Sequence, residues 1–355
     1  MSARALPTSL PNAKFDWLEL GAFPTPVDRV SVAAGELFIK RDDLSSPVYG
    51  GNKVRTLETL FGQAKASGAT RIYATGAFGS NHATATVLHA PRVGLEAGVI
   101  LFPQPKSTAA EENLRVILGA RPVTVCLPHW SFLPLGMMRQ RRRDRSAGVA
   151  SEIMVPGGAT EVGAIGYVSA ALELAQQVED GELPSPARLV IGVGSTCTSA
   201  GLLLGLRVAA ILGIGWREPP RLISARVTPW PVTSPYRIVD LAVRTGALLA
   251  ARSGDRRLAV GRRTLRRGLE VDRRYLGWGY GHATKTGRAA IETFRASAGF
   301  ELDTTYSAKA AACALDRVAP DGPTLFWSTK STAGLPDVPA EAIAHAPKRM
   351  RRWLR

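Results

Sequence analysis

The sequence predicts an α/β protein with mainly parallel sheets flanked by helices. Three observations carry this expectation. Short apolar runs alternate with longer amphipathic ones through most of the 355 residues. The segments joining them are brief. Glycine-rich turns stand where an apolar run gives way to a helix, the place where open α/β sheets collect ligands.

The elements follow in order. "ELFIKRDD" (36–43) is a strand leading to a loop. "KVRTLETLFGQAKASG" (53–68) has helical spacing and closes on Gly68. "TRIYATGA" is a strand, "FGSNHA" a turn and "ATATVLHAPRVG" an apolar helix. "EAGVILFP" is a strand, "EENLRVILGA" a helix and "RPVTVCLP" another strand. "GAIGYVSAALELAQQVED" (163–180) is long and periodic enough for a helix, and "ARLVIGVG" (187–194) is a buried strand.

Bulk properties narrow the class. A hydrophobic fraction of 45% supports a sizeable core in one or two domains. Cys126, Cys197 and Cys313 have no metal-ligand spacing and form no even disulfide framework, which points to a reducing, cytoplasmic setting without a metal. The N-terminus lacks the apolar core of a secretion signal. The uncharged run from Leu189 to Leu206 contains four glycines and four Ser/Thr, so it reads as strand, turn and helix start rather than a membrane span. The net charge of +16 gathers at "RQRRRDR" (139–145) and across 251–274. A polyanion or membrane surface would suit such clusters, and so would solvated helix faces. No zinc-finger spacing or aromatic RNA-binding motif accompanies them, so nucleic acid is not the expected partner.

Three turns carry the candidate chemistry. "GGNK" sets Lys53 after two glycines at a helix start; a lysine desolvated there can form a Schiff base, although an ordinary turn would look the same. "GSNHA" groups Ser80, Asn81 and His82 at another helix start, where they serve either as an N-cap or as a nest for a substrate carboxylate. "GVGSTCTSAG" (192–201) combines glycines, hydroxyls and a helix N-terminus as a phosphate cradle would. It is neither a Walker loop nor a dinucleotide fingerprint. A Schiff-base lysine with a phosphate cradle points to pyridoxal 5'-phosphate.

From "FPTPVDRV" to "TLFWST" the chain resembles the 1-aminocyclopropane-1-carboxylate deaminase/D-cysteine desulfhydrase family of fold type II (tryptophan synthase β-like) pyridoxal-phosphate enzymes. "FIKRDDL", "GGNKVRTLE", "GSNHA", "VPGGATEVGAIGYVSAALELA", "GSTCTSAGLLLGL", "YLGWGYGHAT", "DTTYSAKAA" and "LFWST" occur in family order. The resemblance implies two open, twisted, mainly parallel sheets in two domains: a small one at 56–164 and a large one combining 1–55 with 165–355. It makes Lys53 the lysine that holds the cofactor aldehyde and moves the α-proton. It sets Ser80, Asn81 and His82 near the substrate carboxylate and the cofactor's phenolic oxygen. Gly194, Ser195, Thr196, Cys197 and Thr198 match the phosphate loop. Tyr280 and Tyr306 match two tyrosines on the substrate side, and Ser307 the position beside the pyridine nitrogen. A small amino acid and a second copy of the chain, in a homodimer, are the implied partners.

Three departures bear on the chemistry. Thr196 and Cys197 occupy a loop that the family makes richer in glycine, and a Cβ there demands different backbone angles. Ser307 stands where the cyclopropane-opening deaminases carry an acid. A hydroxyl leaves the pyridine nitrogen neutral, which suits β-elimination from a cysteine-like substrate better than ring opening. Lys330, in "WSTKSTAG", replaces a usual glycine. It is either a solvent-facing lysine or a cation that selects an anionic substrate. Ring opening, a sulfo-lyase, unusual amino-acid chemistry on the same fold, a non-catalytic binding protein and a basic nucleic-acid binder are the alternatives.

Overall fold

The computed structural model describes residues 4–228, 232–279, 282–304 and 306–355. Among these residues ten strands form two sheets. The strands are β1 Val27–Val32, β2 Gly35–Arg41, β3 Arg71–Ala77, β4 Glu96–Phe102, β5 Val123–Cys126, β6 Ser151–Ile153, β7 Arg188–Val193, β8 Arg221–Arg226, β9 Leu269–Asp272 and β10 Thr324–Ser328. The larger sheet runs β1-β2-β10-β7-β8-β9, and the smaller β5-β4-β3-β6. Every pairing is parallel except the β1–β2 hairpin. Helical crossovers supply the parallel connections, so both sheet faces are covered and the strands read as continuous apolar runs.

Seven helices position the site: α1 Asn52–Ala66, α2 Asn81–His89, α3 Thr108–Gly119, α4 Leu133–Ser146, α5 Glu161–Glu179, α6 Cys197–Leu212 and α7 Ser307–Leu315. α5 is apolar around most of its circumference and is correspondingly buried, with Thr160 capping its start by accepting from the Gly163 N–H. It packs between α1 and α6. Gly166 makes the α1 contact possible, because a Cβ there would sit 2.1 Å from the Arg55 carbonyl oxygen. The backbone beside Lys53 is thus pressed directly onto α5.

Charged groups lock the same junction. The Arg55 guanidinium lies between Asp42, just after β2, and Glu173 of α5, at 2.7 and 2.8 Å. Lys40 donates to Glu173 and Gln177, and the Tyr167 hydroxyl donates to Asp42 at 2.6 Å. All six side chains are buried or nearly so.

The suspected membrane run resolves into β7, a turn and α6, and no described helix is long and apolar enough to cross a membrane. The arginines at 139–145 lie on the exposed side of α4, while Gln140 and Asp144 turn inward, where Asp144 accepts from Arg71 and Gln140. In the 251–274 segment, Arg257, Arg262 and Arg274 pair with Asp255, Asp240 and Asp272. The C-terminal segment returns to the smaller sheet, where Ile343, Met350 and Leu354 join its core and Trp353 packs edge-on against Phe78.

Candidate active site

The C-terminal ends of strands from both sheets converge on one cavity of about 590 Å³. Thr75, Gly76 and Ala77 reach it from β3, Phe102 from β4, Gly192 and Val193 from β7, and Thr329 from just beyond β10. A volume of this size is typical of a small-molecule site.

Lys53 stands on the wall, one residue into α1. The turn before it is tight. Gly51 has φ of 88°, and a Cβ on it would meet the Thr329 carbonyl oxygen at 2.4 Å. The N–H of Asn52 donates to that same oxygen, and its side chain donates to the Thr198 hydroxyl at 2.9 Å, tying α1 to α6 across the cavity. The Lys53 amine has no hydrogen-bond partner among the described residues. Burial lowers its pKa, which favours the neutral, nucleophilic amine.

Opposite lies the start of α6, a 16-residue helix whose N-cap, Thr196, makes no side-chain cap bond. The first-turn N–H groups are therefore left for a ligand. Thr196 takes φ of 71° and ψ of −24°, the left-handed conformation that glycine adopts without strain. The loop thus keeps the angles of a glycine-rich nest in spite of the Cβ. For a β-branched residue this costs about 1–3 kcal/mol. Thr196→Gly is expected to raise stability by about 1 kcal/mol once the extra freedom of glycine in the unfolded chain is deducted. Urea unfolding of the cofactor-free protein measures this, and a loss of stability would show that the threonine is not strained. Gly157 closes the nest from the far side. It has φ of 69°, and a Cβ there would sit 2.2 Å from the Ser195 hydroxyl and 3.7 Å from the Lys53 amine.

The third turn provides donors. Ser80 caps α2 by accepting from the Ala83 N–H at 3.3 Å, so its capping role is real. Asn81 Oδ1 accepts from the Tyr49 hydroxyl at 3.0 Å and from Asn113 Nδ2 at 2.7 Å. With its oxygen occupied, Asn81 keeps its amide N–H groups for a ligand. His82 is buried, neither ring nitrogen has a partner among the described residues, and burial with the nearby Lys53 lowers its pKa to about 3. It is a neutral imidazole at working pH.

Lys53, Ser80, Asn81, His82, Gly194, Ser195, Thr196, Thr198 and Tyr306 all line the cavity. Two expected residues do not. The Cys197 thiol turns away and donates to the Gly158 carbonyl at 3.2 Å, and burial pushes its pKa up to about 11, so its backbone N–H is what it can offer a ligand. Ser307 lies one residue behind Tyr306, with its hydroxyl buried and unpartnered among the described residues. Tyr280 falls outside the described residues. Sequence reasoning missed Tyr49 and Asn113, which carry no motif and act through Asn81. It also missed Trp130 and Trp278, exposed aromatics at the mouth of the cavity.

An amine whose pKa is lowered, facing helix N–H groups, with a buried hydroxyl nearby, fits an aldehyde-bearing aromatic phosphate. Residues 18–329 match the family model described as pyridoxal-phosphate dependent enzyme. The chain belongs to this family. Pyridoxal phosphate is the cofactor of these enzymes, and this chain's fold and enzyme class follow from membership. The chain is 32% identical over 313 residues to nocardicin C-9' epimerase of Nocardia uniformis subsp. tsuyamanensis, covering 86% of this chain and 89% of that one. It is 32% identical over 340 residues to D-cysteine desulfhydrase of Klebsiella pneumoniae subsp. pneumoniae, covering 91% and 96%. Among solved structures it is similar to an ACC deaminase homologue, with a TM-score of 0.73, 26% identity and coverage of 94% and 96%.

Proposed function

We propose that the protein eliminates a β-substituent from a small, cysteine-like amino acid, giving a keto acid and ammonia. The observation that carries this reading is the unpaired Lys53 amine facing the open N-terminus of α6 across the cavity. Lys53 would hold pyridoxal phosphate covalently, with the backbone of Gly194 to Thr198 around its phosphate and the Ser307 hydroxyl toward its ring nitrogen. When bound, the cofactor supplies an electron sink that makes the substrate's α-proton removable. Ser80, Asn81 and His82 orient the substrate carboxylate at the start of α2. Lys53, free as an amine once the substrate is bound, takes the α-proton. Tyr306 stands on the substrate side of the wall. Overall, the substrate loses HX and one water completes its conversion to keto acid and ammonia. The similarity to D-cysteine desulfhydrase supports this assignment. Violet absorbance of the purified protein, followed by a screen of D- and L-amino acids for keto-acid release, tests it.

Epimerisation is the second reading, favoured by the similarity to nocardicin C-9' epimerase. It needs the same proton removal and a proton returned to the other face, with no leaving group. Incorporation of solvent deuterium with inversion, in the absence of keto acid, would establish it.

Ser307 separates elimination from ring opening. A carboxylate beside the ring nitrogen would favour its protonated form, whereas a hydroxyl brings no charge. D-cysteine and β-chloro-D-alanine are therefore expected to be turned over, and 1-aminocyclopropane-1-carboxylate to be processed poorly. Ser307→Glu is expected to shift the visible spectrum and slow elimination about tenfold or more, the equivalent of one pKa unit. Ser307→Ala should stay within a few-fold of the natural enzyme. Efficient turnover of the cyclopropane substrate would refute this role for Ser307.

On the same footing, residues 56–164 form the small domain, and 1–55 with 165–355 the large one. The support is that β3 to β6 all pair within the smaller sheet. A homodimer in the cytoplasm completes the reading. Three free cysteines support the reducing compartment.

A further inference from the structure

The cavity contains a second lysine that the elimination chemistry does not use. Lys330 lines the wall, and its ammonium donates to the Tyr49 hydroxyl at 3.1 Å while lying 5.1 Å from that ring's centroid. Tyr49 is 1% exposed, and its hydroxyl passes the contact on to Asn81 Oδ1. The backbone fixes this arrangement, because Gly51 bridges Lys330 and the Ser331 hydroxyl accepts from the Gly50 N–H at 2.9 Å. The lysine is therefore bound into the turn that carries Lys53 and does not wave in solvent.

Its charge balance is unusual. Among the described residues no carboxylate lies within ion-pair distance of Lys330. Asp303 and Glu112 act on it only at longer range, and the Asp303 carboxylate accepts from the Tyr306 and Ser307 N–H groups. Burial opposes the charge, but the surroundings raise the pKa, so the ammonium persists at neutral pH. One of its three N–H donors is used by a neutral phenol. A half-buried cation with no carboxylate at ion-pair distance among the described residues is under-compensated, and the open cavity in front of it is where an anion can enter.

We propose that Lys330 is a specificity residue that pairs with a carboxylate of the amino-acid substrate. Its ammonium stands one hydrogen-bonded link, Tyr49, from Asn81 at the start of α2. The donors of that helix and the ammonium together form a two-sided anion site. The partner is either the α-carboxylate or a second carboxylate on the substrate side chain. The inference rests on the cofactor reading above, and the test keeps the two apart.

The experiment titrates the holoenzyme and its Lys330→Gln and Lys330→Arg variants with amino acids, reading Kd from the shift of the bound cofactor's visible band. The probes are D- and L-serine, D- and L-aspartate, and the two serinamides, which lack the carboxylate charge. Lys330→Gln is expected to weaken carboxylate probes roughly 10- to 100-fold, the size of a charge-assisted contact. It should leave serinamide within a few-fold, and Lys330→Arg should retain most of the affinity. Equal weakening of serine and aspartate assigns the α-carboxylate; weakening of aspartate alone assigns the second one. Unchanged carboxylate affinity in Lys330→Gln, equal weakening of serinamide, or no carboxylate binding to the natural enzyme would overturn the proposal. A visible band that disappears in Lys330→Gln would also overturn it, since the lysine would then be supporting the cofactor. Absence of the band from the natural protein would instead refute the cofactor reading itself.

Discussion

Lys53→Ala is expected to remove the violet band of a lysine-bound cofactor and to reduce turnover by about 10³-fold or more, since both the covalent anchor and the base are lost. Two other lysines, Lys40 and Lys309, are buried, and a third, Lys330, is half-buried. Lys40 is held by Glu173, Gln177 and the Thr25 carbonyl. Lys309 donates to the carbonyls of Leu276 and Gly279, and Lys330 keeps its proton beside Tyr49. Lys53 alone of these four has a lowered pKa and no hydrogen-bond partner among the described residues. Borohydride reduction of the natural protein followed by peptide mapping should find the pyridoxyl label on Lys53. A label on Lys330, the other lysine of the cavity, would reverse the roles given to the two residues.

What the sequence disclosed depends on how local the cause is. The helix at 161–179 and the strand at 188–193 are legible because their apolar periods are long and uninterrupted. β6, three residues long, and β9, four, carry too little pattern to stand out, and their places come from pairing with distant strands. Sheet order, with β10 inserted between β2 and β7, is set by long-range packing that no window of sequence contains. The same division runs through the cavity. Turns announce themselves through glycine, so Lys53, the Ser80–His82 group and the 194–198 loop were visible as motifs. Tyr49, Asn113 and Lys330 meet around Asn81 only after four separated segments have folded together. The direction of the Cys197 thiol was equally hidden, because it depends on where the first turn of α6 presents that side chain. Thr196 is a third kind of case. Its type argues for ordinary backbone angles, yet the surrounding loop holds it at positive φ.

Arg55→Met should cost about 3–5 kcal/mol, because it leaves carboxylates buried without their main counter-charge. Arg55 donates to both oxygens of Asp42 and both of Glu173, and it also lies over the Phe23 ring at 4.1 Å. Without it, Asp42 retains, among the described residues, only the neutral Thr25 and Tyr167 hydroxyls as side-chain donors, while Glu173 retains Lys40. In a chain of this size the loss lowers the melting temperature by roughly 4–7 °C. The pH dependence identifies the cause. Burial alone would raise the Glu173 pKa, but Arg55 and Lys40 bring it down from 4.5 to about 2. A carboxylate depressed in the folded state stabilises fully above its unfolded pKa and loses that contribution as pH falls through the folded one. The natural protein should therefore lose roughly 3 kcal/mol between about pH 4.5 and pH 2 from this group. In Arg55→Met, Glu173 titrates closer to its ordinary range, and that acid-dependent loss should shrink. Arg55→Lys keeps the charge but cannot bridge both carboxylates, so its stability should fall between the two. It also gives a measurable species if Arg55→Met fails to fold. Because Arg55 follows Lys53 by two residues on α1, cofactor occupancy should fall in parallel with stability. A variant that melts within about one degree of the natural protein, with an unchanged acid limb, would show that the network is not what holds α1 against α5.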